Sequence, residues 1–267
     1  MISSTSNPQI KNIVQLQKKA KTRLEQGAFV IEGIKMFEES LAGGYLIKAY
    51  FSESYYKEKS EQESGYFTGY SYEVVTDSVF LDIADTLTPQ GVMAIVKKTE
   101  YSIEQMLSHP AASLVLLEDI RDPGNLGTIL RTAEAAGITG IILSKTSVDM
   151  YNPKVIRSTM GAIYRMPFLY VEDFGAAVFQ LIENDFSVYA AHLLAVHSYD
   201  QVDYKAKCAI MIGNEANGLS EESSRLATQY IKIPMEGKVE SLNAAVAASI
   251  LMYEVYRNKR SRLNHTE

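Results

Sequence analysis

Ser241 and Asn243 are polar residues at the start of a long apolar stretch of the chain. Side chains in such a position lie beside unpaired backbone N–H groups and the positive end of a helix dipole. They could cap the helix alone, with Ser241 as its N-cap, or they could contact a ligand or substrate. A second strand end rich in Gly and Asn, residues 212–218, favours the ligand contact over capping alone.

A third segment, residues 123–131, follows a strongly apolar strand that begins at Leu114. It contains Asn125 and, one turn into a helix predicted over residues 128–136, Arg131. Ligands of doubly wound sheets bind outside the carboxyl ends of the parallel strands. The predicted order of strands and helices puts the Gly- and Asn-rich segments at those ends.

The sequence lacks the common motifs of nucleotide-binding, hydrolytic and zinc proteins. The turn at residues 123–127 does not carry the G-x-G-x-x-G pattern, and there is no Walker lysine motif or G-x-S-x-G elbow. One cysteine and scattered histidines give no cluster with metal-ligand spacing, so we expect no metal. The histidines are His109, His192, His197 and His265.

The composition of the chain limits the classes of protein to which it can belong. A hydrophobic content of 46% supports a sizeable core, and a net charge of −6 argues against a protein that coats nucleic acid. No uninterrupted apolar run is long enough to span a membrane, and residues 1–30 lack the apolar core of a secretory signal. A single cysteine, Cys208 in an apolar strand, suits a reducing cytoplasm.

Positive charge is concentrated near the two ends of the chain. Residues 1–35 carry six Lys or Arg residues against two Glu. A basic helix face is often plain solvated surface, but two basic patches on an acidic protein are compatible with phosphate contacts. The N-terminal cations predicted to contact such phosphates are Lys11, Lys18, Lys19 and Arg23, and the cations of the tail are Arg257, Lys259, Arg260 and Arg262.

Alternating strands and helices predict an α/β protein with two domains. Residues 1–105 are predicted to form a small α/β domain that begins with a helix over residues 7–25, which Gly27 ends. Residues 106–267 are predicted to form a doubly wound parallel sheet. Its last helix is expected to begin at Ser241 and to be buried on most sides, because nearly every following position is apolar.

Taken in order, the polar segments resemble the motifs of the SpoU (TrmH-like) family of SPOUT-class RNA methyltransferases. The first motif is matched by Asn125, Gly127, Arg131 and Gly137. The second is matched by Gly213, Glu215 and Gly218, and the third by Ile233, Pro234, Met235, Ser241, Leu242 and Asn243. The residues that resemble the substrate-binding domain of many members are Asn7, Pro8, Ile10, Lys11, Phe29, Glu32 and Gly33. The resemblance covers nearly the whole chain.

The resemblance implies a SPOUT-type parallel sheet with a deep trefoil knot, a homodimer, and S-adenosyl-L-methionine bound in the knot. The family's cofactor positions correspond to Gly213, Ile233 and Leu242. Glycine would leave backbone room for the ligand and the two aliphatic side chains would face adenine, although core packing would also explain them. The implied activity is methylation of a ribose 2′-hydroxyl in structured RNA, ribosomal RNA ahead of transfer RNA.

The catalytic residues that the resemblance implies are Arg131, Asn125, Glu215, Ser241 and Asn243. Arg131 stays protonated and is a poor base, so we expect it to orient the hydroxyl and lower its pKa, with help from a substrate phosphate. An ion pair to Glu134 or Glu215 is its plainer alternative. Asn125 could hold the loop near Arg131 or cap a helix, and Glu215 could orient Arg131 or Asn243. Ser241 and Asn243 could contact the substrate or brace the site.

Two other functions remain open on the sequence. A non-catalytic RNA-binding or ribosome-assembly protein could keep the same fold, although the presence of all five polar residues speaks against it. Base methylation within the same fold class would put the methyl group on a base instead of the ribose.

Overall fold

The computed structural model describes residues 1–263, which form two compact units. The first unit comprises residues 1–100 together with residues 149–164. The second comprises residues 101–148 and, among the described residues, 165–263. Each unit has its own sheet.

In chain order, the elements of the first hundred residues are α1 (Pro8–Lys18), α2 (Ala20–Gln26), β1 (Ala28–Glu32), α3 (Ile34–Ala42), β2 (Leu46–Ser52), α4 (Glu53–Gln62), β3 (Tyr72–Val75), α5 (Asp77–Ile83) and β4 (Val92–Lys97). The elements that follow are α6 (Ile103–Leu107), β5 (Ser113–Leu117), α7 (Pro123–Ala135), β6 (Gly140–Ser144), α8 (Pro153–Thr159), β7 (Phe168–Val171), α9 (Phe174–Glu183), β8 (Ser187–Ala191), β9 (His197–Ser198), β10 (Cys208–Ile212), α10 (Glu221–Arg225), β11 (Gln229–Lys232) and α11 (Ala244–Leu263).

A four-stranded mixed sheet in the order β1-β4-β2-β3 forms the centre of the first unit. Strand β4 is antiparallel to both β1 and β2, whereas β2 and β3 are parallel. Helix α1 contributes Ile10, Ile13 and Leu16 to the core, at the spacing of one helix face. Because that face is buried, the lysines of α1 lie on its exposed side.

The helix predicted over residues 7–25 is in fact two helices, because the chain leaves helical conformation at Lys19. This residue is extended, with φ −122° and ψ 113°, and α2 begins directly after it. Gly27 follows α2 in the left-handed conformation that glycine adopts without strain, at φ 57°. The predicted end of the helical region is therefore confirmed, and its continuity is not.

The second unit is built on a seven-stranded sheet in the order β7-β6-β5-β10-β8-β11-β9, in which every neighbouring pair is parallel. The prediction of a doubly wound parallel sheet is confirmed. The central strands β5 and β10 pair from Ser113 opposite Cys208 to Leu117 opposite Ile212, and all their residues are buried. The trefoil knot implied by the resemblance stays a prediction. Within residues 1–263, no helix is long and apolar enough to cross a membrane.

Helix α7 begins five residues earlier than predicted, at Pro123 instead of Thr128. Asp122 is its N-cap, since the Asp122 carboxylate accepts a hydrogen bond from the Asn125 backbone N–H at 2.7 Å. Proline suits the first helical position, where its missing N–H has no partner to lose. Asn125 therefore lies in the first turn of a helix, not in a loop before one.

Helix α11 begins at Ala244, so the prediction that Ser241 opens it is wrong. The Asn243 side-chain oxygen accepts hydrogen bonds from the backbone N–H groups of Ala245 at 2.9 Å and Val246 at 3.2 Å. Asn243 is thus the capping residue, and Ser241 lies in the preceding loop.

The prediction that this last helix is buried on most sides holds only in part, because one side of it is exposed and most residues after Val255 are exposed. The buried positions recur at helical spacing and are Ala244, Ala245, Ala248, Leu251, Met252, Glu254 and Val255. On another side, Val246 and Tyr253 are each 48% exposed.

Candidate active site

A cavity of about 290 Å³, here called the first cavity, lies at the carboxyl ends of β8, β10 and β11. Residues 212–218 and the loop that leads into α11 form much of its lining. The three residues predicted to bind a cofactor, Gly213, Ile233 and Leu242, all line it. Ile233 is half-buried at this cavity and is not a core residue.

A second cavity, of about 540 Å³, shares the residues Glu215, Ser241, Leu242 and Ala244 with the first. These four residues are called the shared wall below. The rest of the second cavity is lined by Arg121, Asp122, Pro123, Asn125 and Asn243. Four of the five predicted catalytic residues therefore line the second cavity, and Arg131 is the exception.

A chain of hydrogen bonds links three of the predicted catalytic residues. Asn243 Nδ2 donates to Asn125 Oδ1 at 2.9 Å, and Asn125 Nδ2 donates to Glu215 Oε1 at 3.0 Å. Glu215 also accepts from the backbone N–H groups of Arg121 at 3.2 Å and Asp122 at 3.0 Å. The carboxylate thus holds the loop before α7 and, through Asn125, the amide of Asn243. Asn243 caps α11 with its oxygen and braces the site with its nitrogen.

The pKa of the Glu215 carboxyl lies below its usual range. Burial alone would raise this pKa, because it penalises the charged form, but hydrogen bonds from Asn125 and from the backbone of Asp122 and Arg121 outweigh burial. Glu215 is therefore an ionised side chain that only accepts hydrogen bonds at neutral pH.

Replacing Glu215 with glutamine is expected to destabilise the fold by about 1–3 kcal/mol at neutral pH. Glutamine keeps one acceptor oxygen and turns an NH₂ group toward donors that the carboxylate now satisfies. Because the folded pKa is depressed, the stability from ionised Glu215 is present above its unfolded pKa of about 4.3 and is lost as pH falls through the folded pKa. Urea denaturation over a pH series measures the difference in the free energy of unfolding between the wild type and Glu215→Gln. This difference should become smaller at acid pH.

The exposed ion pair of Glu221 with Arg225 supplies the control for this test. Glu221→Gln is expected to change the free energy of unfolding by less than about 1 kcal/mol, as is usual for surface pairs. A Glu215→Gln gap of the same size at acid and neutral pH would contradict the role of Glu215 as an ionised acceptor.

Gly213 is the point at which residues 213–218 fold back on themselves. Asn214 N donates to Gly218 O at 3.0 Å, and Gly218 N donates to Asn214 O at 2.9 Å. A Cβ atom on Gly213 would lie 2.1 Å from both Gly218 C and Leu219 N. Only a residue without a side chain lets these two backbone segments approach so closely.

Arg131 lies on the exposed side of α7 and lines neither cavity. Among residues 1–263, its guanidinium has no ion-pair partner, so the ion pair considered as its alternative role is not formed. Glu134 instead pairs with Arg165 at 2.8 Å, and Glu215 is engaged as described above. The Arg131 guanidinium is therefore available to a group outside this chain.

Three residues that no sequence motif singled out also position the site. Asp122 caps α7, and an Asp-Pro pair before a helical stretch is a start signal that could have identified it. Asn214 Nδ2 donates to the backbone oxygen of Asp119 at 2.9 Å and to Asp119 Oδ2 at 3.2 Å. This pair joins two loops that are far apart in the chain, and no local pattern predicts it.

Three of the four residues predicted to bind RNA, Lys11, Lys18 and Lys19, are exposed in the first unit. The tail cations of the second unit are mostly engaged within it. Arg257 pairs with Glu254, Lys259 donates to Ser113 Oγ, Arg262 pairs with Asp203, and Arg260 lies over the ring of Tyr256. The tail is therefore not a free basic patch.

Arg23 does not lie on the surface, contrary to the prediction that it contacts RNA. Its side chain is only about 6% exposed and pairs with Asp149. Its Nη1 donates to the backbone oxygens of Leu16 at 2.6 Å and Gln17 at 3.0 Å, which satisfies carbonyls in the last turn of α1. Arg23 therefore stabilises the first unit and is not available to a phosphate.

Within residues 1–263, no group of His, Cys, Asp and Glu side chains could hold a metal ion. His265, one of the scattered histidines, lies outside the described residues.

Comparison with known families accounts for most of the sequence. The model of the SpoU rRNA methylase family matches residues 112–253, more than half of the chain. The chain belongs to the SpoU rRNA methylase family. A second model, the MRM3-like substrate binding domain, matches residues 7–94.

Relatives of this SpoU-family chain align over nearly its whole length. The 23S rRNA (guanosine(2553)-2′-O)-methyltransferase RlmP of Bacillus subtilis is 30% identical over 254 residues, covering 95% of this chain and 98% of that protein. The mitochondrial rRNA methyltransferase 3 of Homo sapiens is 31% identical, covering 95% of this chain and 73% of that protein. The crystal structure of an AdoMet-bound rRNA methyltransferase from Sinorhizobium meliloti superposes with a TM-score of 0.82 at 29% identity, covering 96% of this chain and 97% of that one.

The lining of the first cavity fits S-adenosylmethionine, the cofactor of SpoU-family enzymes. An adenine ring needs apolar walls, which the side chains of Ile231, Ile233, Leu242 and Leu251 provide. The polar ends of the ligand need backbone donors and acceptors, which residues 213–218 bring close because Gly213 has no side chain. The cavity volume is near the lower end of the range of about 300–1,000 Å³ for small-molecule sites.

Proposed function

We propose that this protein transfers a methyl group from S-adenosylmethionine to the ribose 2′-hydroxyl of a nucleotide in structured ribosomal RNA. The observation that carries the proposal is the hydrogen-bond chain from Glu215 through Asn125 to Asn243, at the place where a cofactor-sized cavity meets a second cavity. Because the two cavities share four lining residues, reactants held in them would lie close together. Such orientation lowers a reaction barrier by up to ~7–11 kcal/mol.

The residues of this chain have distinct roles in the proposed reaction. S-adenosylmethionine supplies an electrophilic methyl group when bound. The first cavity holds it through Gly213, Ile233 and Leu242, with the two aliphatic side chains against the apolar part of the ligand. On the other side of the shared wall, Ser241 and the braced Asn243 orient the ribose.

The 2′-hydroxyl must lose its proton as its oxygen attacks in line. The Arg131 guanidinium is always protonated and cannot take that proton. We assign Arg131, with help from a substrate phosphate, to orienting the hydroxyl and lowering its pKa through its positive charge, so that the proton can pass to solvent water as the oxygen attacks. This role needs a guanidinium free of carboxylate partners, which is its state in the described chain.

The choice of ribosomal RNA rests on the named relatives. RlmP and rRNA methyltransferase 3 are both named for ribosomal RNA, and the solved structure from Sinorhizobium meliloti is described in the same way. We propose that residues 1–105 form the domain that selects the RNA, with Lys11, Lys18 and Lys19 binding its phosphates. We place the reaction in the cytoplasm, where an RNA substrate and a reduced Cys208 are expected.

The same proposal includes a homodimer in which a second copy covers α11. Val246 and Tyr253 are seven residues apart, which places them on the same face of α11, and both are about half exposed. Arg131 is exposed on α7, the helix that packs against α11. A dimer formed on this face would bring Arg131 near a reaction site that it does not line within one chain.

Tyr253→Glu is expected to convert the dimer to a monomer, because an unpaired carboxylate would be buried in the apolar contact. Light scattering after size exclusion should then give one chain mass of 29.7 kDa in place of twice that mass. Phe179→Glu is the matched control, since Phe179 is an exposed aromatic residue on α9. A wild-type protein that runs as a monomer at micromolar concentration would contradict the dimer.

The experiment that tests the reaction is transfer of labelled methyl from S-adenosylmethionine to total RNA from a strain lacking this protein, followed by nucleoside analysis. Label on a ribose 2′-oxygen of ribosomal RNA supports the proposal and identifies the nucleotide. Label on a base would assign a different reaction to the same fold. Cofactor binding with no labelled RNA, even when assembly intermediates are supplied, would favour a non-catalytic RNA-binding or assembly protein.

A further inference from the structure

Arg121 is the one cation among the described residues that line the second cavity. The same lining carries two carboxylates, Asp122 and Glu215. Both are held by hydrogen bonds, but their negative charges remain. A nucleotide that enters this cavity brings its own negative phosphates, so the cavity needs a positive group to admit it.

The Arg121 side chain has a partner within the chain, and its guanidinium is still accessible to a ligand. The Arg121 backbone N–H donates to the Glu215 carboxylate at 3.2 Å, and Arg121 Nη2 lies 2.6 Å from Asp119 Oδ1. Asp119 is in turn held by the Asn214 amide. The Arg121 side chain is nevertheless 62% exposed, so its guanidinium remains accessible to a group outside the chain.

From this arrangement we propose that Arg121 binds a phosphate of the substrate RNA next to the target ribose and thereby sets the register of the nucleotide in the second cavity. A guanidinium presents paired donors that match two phosphate oxygens, and a lysine at the same place would act only as a point charge. Arg121 is thus a substrate-binding residue distinct from Arg131, which faces solvent on the far turns of α7. This inference rests on the proposed function.

The test uses the full-length protein, labelled S-adenosylmethionine and total ribosomal RNA from a strain lacking the protein. Arg121→Gln is expected to raise KM for RNA by roughly 10- to 100-fold, with a smaller change in kcat and an unchanged affinity for S-adenosylmethionine. Arg121→Lys should recover part of that loss. The slope of log(kcat/KM) against log[salt] should become shallower by about 0.7–0.9 in Arg121→Gln, because one phosphate contact is missing.

Two further variants separate phosphate binding from a structural role. Asp119→Asn removes the carboxylate partner of Arg121. The positive charge of Arg121 remains, so the salt slope should stay that of the wild type. Arg225→Gln removes an exposed arginine that lines neither cavity, and should leave both KM and the slope unchanged. Melting temperatures of all variants check that each one is folded.

The outcomes also separate this inference from the proposed function. If wild-type protein labels RNA but Arg121→Gln keeps the wild-type KM and salt slope, Arg121 does not bind phosphate and the methyltransferase proposal stands. If Arg121→Gln loses affinity for S-adenosylmethionine, or Asp119→Asn reproduces its change in salt slope, Arg121 acts through the loop and the inference is overturned. A wild-type protein that labels no RNA overturns the proposed function itself.

Discussion

Replacing Arg131 with alanine is expected to lower kcat for methyl transfer by roughly 10²- to 10⁴-fold, the usual contribution of a group that assists proton removal. The affinity for S-adenosylmethionine should stay close to that of the wild type, because Arg131 lines neither cavity. Stability should change by no more than about 0.5 kcal/mol, since the side chain is exposed and has no ion-pair partner among residues 1–263. Single-turnover transfer, calorimetric cofactor binding and urea denaturation measure the three quantities.

Arg131→Lys tests how the guanidinium acts. Lysine keeps the positive charge but loses the planar pair of donors, so an intermediate rate is expected if both orientation and charge matter. Arg225→Ala is the matched control, because Arg225 is an exposed arginine of the same unit that lines neither cavity. An Arg131→Ala protein that no longer binds the cofactor, or that unfolds readily, would show that Arg131 has a structural role instead.

The strands of the second unit could be predicted closely from local sequence. The apolar runs at Leu114 and Cys208 are the central strands β5 and β10, because a strand buried on both faces needs apolar side chains at every position. The start of α7 could have been predicted better, since Asp122 and Pro123 are a recognisable cap and first turn. At such a boundary, turn and helix-start signals use the same residues.

The start of α11 shows what local sequence cannot decide. Ser241 and Asn243 are both good capping residues, and only the path of the loop determines which one meets the first free N–H groups. The exposed side of α11 could not be predicted for a related reason. Its alanines and aliphatic residues occupy all sides of the helix, so composition does not distinguish a core face from a face that a second molecule could cover.

The residues of the candidate site could be predicted from their types and order, but their partners could not. Glu215 was expected to orient Arg131 or Asn243, and it reaches Asn243 only through Asn125. Arg23 was expected on the surface because its neighbours are lysines, yet it pairs with Asp149, more than a hundred residues away. Ion pairs and hydrogen bonds between residues so distant in sequence depend on the tertiary fold, and the periodicity of the sequence does not predict them.

Gly213→Ala is expected to destabilise the fold by roughly 2–4 kcal/mol and to weaken S-adenosylmethionine binding by more than about tenfold. The new Cβ would lie 2.1 Å from the backbone atoms Gly218 C and Leu219 N, so the loop must move away from the strand end. That movement would break the two hydrogen bonds between Asn214 and Gly218 and displace a wall of the first cavity. A displacement costing only about 1.4 kcal/mol of binding energy already gives a tenfold loss of affinity. Urea denaturation and calorimetric titration with S-adenosylmethionine measure the two effects.

Gly175→Ala is the matched control for that prediction, because it makes the same change at a site with room for a methyl group. A Cβ on Gly175 would lie 3.5 Å from its nearest neighbours, and the residue is in the first turn of α9. Alanine there should be neutral or should stabilise the protein by up to about 1 kcal/mol, through reduced freedom of the unfolded chain. If Gly213→Ala behaves like this control, the loop at residues 213–218 can open without cost, and the close backbone approach is not what shapes the cofactor cavity. If stability falls but cofactor affinity does not, Gly213 is needed for folding alone and its assignment to the cofactor site is wrong.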